Sequence, residues 1–65
     1  MLATIKRNMI VSKHIDEILG EIKRIENNSQ VKYSNKDKKD MIVFAIIEKE
    51  IMVDSYVDKL ITQAL

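Results

Sequence analysis

The chain of 65 residues contains no cysteine, no proline and a single glycine, Gly20. Without cysteine, disulfides and thiolate metal sites are excluded, and the composition suits a reducing, cytoplasmic setting. With one histidine, His14, a metal site built from imidazole nitrogens is excluded as well. Without proline, nothing in the backbone forces a helix to end. Long apolar runs are missing too. The longest, residues 41–47, stops at Glu48, far short of the roughly 20 residues that cross a bilayer. Residues 1–15 have neither the apolar stretch nor the small-residue cleavage site of a secretory signal. Lys6, Arg7 and Lys13 stand there without an acid, which gives a faint resemblance to a transit peptide or to an amphipathic segment on an anionic membrane surface.

What is present is a hydrophobic fraction of 46% beside 32% charged residues, the balance of a chain that folds. A domain this short hides only about 60% of its unfolded surface, so its core is thin. Such domains lean on disulfides, metals or partner chains. With the first two excluded, helix packing and self-association remain. The net charge is +1, but it is unevenly spread: residues 1–40 hold nine bases and six acids, residues 41–65 two bases and four acids. That polarity can orient one chain against another.

Hydrophobic periodicity is helical throughout. At 100° per residue Val11, Ile15, Ile18, Leu19, Ile22 and Ile25 form one stripe, with Asp16, Glu17, Lys23 and Arg24 opposite. Leu2, Ile5, Met9 and Ile10 fall on another side of the same helix. The first helix is expected over about residues 3–27, ending where Asn27 or Asn28 takes the left-handed conformation. A polar loop over about 28–34 follows. Ser34, Asn35, Lys36 and Asp37 make a variant capping box with Asp in place of Glu, opening a second helix over about 35–52. This helix either continues or breaks into a last helix over about 55–64, capped by Asp54 or Ser55. Residues 41–47 are apolar all round, whereas Val53, Val57, Leu60, Ile61 and Ala64 form one clean stripe. The expected fold is all-α, a helical hairpin or three-helix unit in a single domain, assembling as a homodimeric bundle that buries the surplus apolar surface. In length and hairpin pattern it resembles small plasmid and phage regulators that dimerise into four-helix bundles, a likeness of architecture without a shared residue motif.

Catalytic constellations are absent from the sequence. His14 lies at the edge of the apolar stripe, and Ser12, Asp16 and Glu17 are too near in sequence to face it across a helix turn. Acids at 50, 54 and 58 would line one side of a continuous helix, a solvated face before a cation site. Phosphate loops, nucleophile elbows and zincin motifs are missing. Neither an enzyme nor a cofactor is expected. The leading expectation is an interaction or regulatory module whose contact residues are Leu2, Ile5, Met9, Ile10, Ile42, Val43 and Ile46. The alternative is a small DNA- or RNA-binding regulator using Lys32, Tyr33, Lys36, Lys38 and Lys39, although Asp37 and Asp40 dilute that field. A helix-turn-helix laid over residues 46–60 lacks the turn glycine and presents a net acidic second helix, which phosphates repel.

Overall fold

The computed structural model describes the backbone of residues 2–65 and the side chains of residues 9–65. Three helices make up the fold: α1 (Leu2–Ser29), α2 (Asn35–Glu48) and α3 (Ser55–Ala64). At 1.5 Å per residue α1 is about 42 Å long, which accounts for the longest dimension of the molecule, 43 Å. The two shorter helices fold back along it, and each of the three helices packs on both others. The unit is all-α, and of the two arrangements left open by the sequence it adopts the three-helix one. No described helix is long and apolar enough to cross a membrane.

The buried side chains among the described residues are Val11, Ile15 and Ile22 of α1, Ile42 and Ile46 of α2, and Val57 and Ile61 of α3. All are β-branched. Each has essentially one rotamer in a helix, so burial removes little side-chain entropy. No polar or charged residue is buried among those described, so no hydrogen bond has to be rebuilt inside the core. Ile18, Leu19, Tyr33, Met41, Val43, Ile51, Val53, Leu60 and Leu65 cover its rim.

The helix starts follow the side-chain chemistry. Ser34 caps α2, its hydroxyl accepting from the Asp37 N–H at 3.2 Å, and Asp54 caps α3, accepting from the Val57 N–H at 2.9 Å. The helix ends are less orthodox. α1 runs on to Ser29 rather than stopping at Asn27 or Asn28, so the left-handed position falls on Gln30, at φ 54°. The Val31 N–H then returns to the Glu26 carbonyl at 3.2 Å. At the end of α2, Glu50 takes φ 62°, its N–H reaching the Ile47 carbonyl at 2.9 Å while the Ile51 N–H reaches Ile46 at 3.3 Å. These paired bonds form a Schellman motif with glutamate where glycine is usual. The motif stops α2 four residues short of the expected 52 and separates it from α3. The acids at 50, 54 and 58 therefore make no continuous helical line: Glu50 lies in the turn, Asp54 caps a helix and Asp58 pairs elsewhere.

Two opposite exchanges should both stabilise this fold. Gly20 lies on an exposed stretch of α1 and an added Cβ would meet nothing within 4 Å; Gly20→Ala should contribute about 0.5–1 kcal/mol. Glu50→Gly relieves a left-handed residue and should contribute a similar amount, about 1 kcal/mol. Thermal unfolding checks both, with Tm expected to rise about 4–8 °C per kcal/mol in a domain of this size.

Candidate interaction surface

The proposed contact residues divide between two environments. Ile42 and Ile46 are 0% exposed, and Val43 packs against the core rim. Ile42 and Ile46 close the three-helix unit itself and are not free for a partner, which corrects the expectation placed on them, while Val43 is half-buried. The physical reason is that residues 41–47 of α2 are apolar on every side, so their periodicity cannot tell which side faces inward. A glutamate at Ile46 would break the fold before it broke any assembly. Met9 and Ile10, in contrast, are 68% and 53% exposed. Leu2 and Ile5 lie outside the residues whose side chains are described.

The outward side of α2 carries Phe44 and Ile47, 65% and 55% exposed, which periodicity alone did not single out. A signal was present in the charges. Asp37, Asp40 and Glu48 share the side of the helix that bears Phe44, so water belongs there and Ile42 and Ile46 belong opposite. Met52 and Tyr56 at the α2–α3 corner are exposed as well. Met9, Ser12, Lys13, Asp16, Tyr56 and Leu60 line an open cleft of about 410 Å³ between α1 and α3.

The lysine-rich segment is split by the fold. Lys32 and Lys36 are exposed. Lys39 spans to Asp58 of α3 at 3.0 Å, and Lys38 approaches the Glu26 carboxylate of α1 at 4.0 Å. Tyr33 packs on the core, so its ring is not the free stacking platform expected of it. Glu26 organises this corner: its carboxylate also accepts the Tyr33 N–H at 2.7 Å, while its side chain is only 12% exposed. The loop is thereby fastened to the end of α1.

His14 is half-buried with its Nδ1 enclosed and without a hydrogen-bond partner. Among the described residues no group of three or more His, Asp or Glu side chains could hold a metal ion. An open cleft of about 420 Å³ between α1 and the end of α3 is lined by Asp16, Leu19, Lys23, Glu26, Lys38 and Leu65. It holds no nucleophile beside a base. No protein-family model, curated protein or solved structure matches the chain.

Glu26→Ala tests how the loop is held. It leaves the Tyr33 N–H without its acceptor and Lys38 without its neighbour, and should cost about 1–2 kcal/mol. Chemical denaturation should show a lower midpoint at unchanged slope. An unaltered midpoint would mean that the loop is held by apolar contacts alone.

Proposed function

We propose that this chain is a non-enzymatic interaction module that acts through the outer faces of its helices and self-associates, most simply as a dimer. The observation that carries this reading is the exposure of Met9, Ile10, Phe44 and Ile47 on a unit whose own core is already closed. None of the four is needed to fill that core. Isolated exposed apolar side chains are ordinary, but Phe44 and Ile47 lie one turn apart on α2, and Met9 adjoins Ile10 on α1. Covering each of them would contribute about 1–2 kcal/mol, since each is already part-covered. Against the free-energy cost of bringing two chains together, a handful of such side chains supports association in the micromolar range.

A nucleic-acid regulator draws less support, because Lys38, Lys39 and Tyr33 are engaged within the chain. Two exposed lysines, Lys32 and Lys36, remain beside Asp37 and Asp40, a weak field for phosphates.

The double variant Ile10→Ser/Phe44→Ser tests the reading. Both side chains are exposed, so the fold should keep its Tm within about 3 °C, equivalent to about 0.5 kcal/mol for surface positions. The apparent molar mass at high concentration should fall toward that of one chain. A variant that still assembles like the parent would remove these faces from the account.

A further inference from the structure

Resting on the reading that the chain self-associates, we propose that two copies do so by exchanging α3. The turn over residues 49–54 straightens, α2 and α3 join into one helix, and each α3 takes the place of its counterpart on the other copy. The observation that carries this is the turn itself. Glu50 holds a left-handed backbone at φ 62°, a conformation costly to a residue with a Cβ and ordinarily left to glycine. Neither glycine nor proline occurs in residues 35–65, so nothing in the backbone forbids a single helix over residues 35–64. A short turn that holds strain, between two elements able to run on as one, is a hinge suited to such an exchange.

The directions of the helices decide where a released α3 goes. α2 runs antiparallel to α1: the Tyr33 N–H and Lys38 lie by Glu26, while Lys49 borders one cleft with Glu17 and Glu21. α3 runs parallel to α1, with Tyr56 near Met9 and Ser12 and Leu65 near Leu19 and Glu26. Straightening the turn therefore reverses α3 and sends it out along the first residues of α1. Its own α1 offers no apolar seat there. Carried toward the N-terminus in steps of three and four, the line of Val11 and Ile15 reaches Arg7, Asn8 and Thr4, polar positions where the stripe of α3 needs apolar ones. A second copy turned end for end presents its α3 groove in the required direction. A two-fold axis perpendicular to the helices then relates the pair, and the exchange closes at two copies.

The exchange keeps the contacts of α3. Val57 and Ile61, 0% exposed in the single chain, enter the same core beside Ile42 and Ile46 of the other copy. Asp58 meets that copy's Lys39 as it now meets its own. An open chain by itself would leave the core uncovered, so opening requires a partner. What differs between the closed chain and the pair is the hinge. Joined, residues 49–54 gain helical hydrogen bonds and Glu50 returns to ordinary backbone, while the cap that Asp54 gives to the Val57 N–H is lost. Against this gain stands the cost of bringing two chains together, so the exchanged pair is favoured as concentration rises.

A distance within one chain tests the exchange. The chain has no cysteine of its own, so Lys36→Cys and Gln63→Cys, both at exposed positions, can carry a pair of spin labels. The doubly labelled chain is diluted into an excess of the unlabelled parent and read by pulsed electron resonance, at concentrations giving the mass of one chain and the mass of two. Along one continuous helix the two positions stand about 40 Å apart. In the closed chain, where Lys39 reaches Asp58 and packed helices lie about 8–10 Å apart, they stand within about 25 Å. The separation should lengthen to about 40 Å in the dimer. Glu50→Gly, which eases the closed turn and weakens the joined helix, should raise the dissociation constant at least tenfold. A dimer that keeps the separation of the closed chain, or a Glu50→Gly variant that dimerises like the parent, overturns the exchange while self-association stands. A parent that stays monomeric at every concentration overturns the reading on which the exchange rests.

Discussion

Everything in this molecule depends on the contact among seven β-branched side chains, Val11, Ile15, Ile22, Ile42, Ile46, Val57 and Ile61. Their shape sets what the fold can do. Valine and isoleucine bring rigid, well-defined surfaces to a helix interface, so a few of them specify one packing where flexible chains would allow several. Among the described residues no polar residue joins these seven, the enclosed His14 Nδ1 lying outside the cluster, and stability rests on close apolar contact from all three helices. Removing any one helix would uncover the other two.

The same economy leaves the outer faces occupied by residues that the core does not use. A 28-residue α1 faces partners of 14 and 10 residues, so the hairpin covers one side of the long helix and leaves the opposite side open. On α2 the packing of Ile42 and Ile46 turns Phe44 and Ile47 outward as a matter of helical geometry. The charges around Phe44 then matter more than their number suggests. They keep an apolar side chain soluble in the single chain. The near-neutral net charge of +1 leaves little long-range repulsion to hold copies apart.

Much of the architecture was legible in the residues. The α1 stripe identified Val11, Ile15 and Ile22 as buried, and the α3 stripe identified Val57 and Ile61, because each helix has one apolar side. Ser34 marked the start of α2 through the acceptor it offers to a free backbone N–H, and Asp54 or Ser55 offered the same for a third helix, of which the fold uses Asp54. Two features were hidden. The end of α2 depends on a glutamate adopting a left-handed conformation at residue 50, which local preference disfavours and tertiary packing imposes. The orientation of α2 was obscured because residues 41–47 are apolar all round. Periodicity therefore does not separate the inward Ile42 and Ile46 from the outward Phe44. The acids at 37, 40 and 48 held the answer, since three carboxylates on one side of a helix locate solvent more firmly than apolar residues on every side locate a core.

The central claim is that the surface left over by this small core belongs between copies of the chain. Sedimentation equilibrium of the parent protein, from low micromolar to near millimolar concentration, tests it most directly. The account predicts an apparent mass that rises with concentration from that of one chain, 7.6 kDa, and levels off at twice that value. A mass that stays at one chain across the whole range, with the helices intact, would contradict it and leave Phe44, Ile47, Met9 and Ile10 open to a different protein.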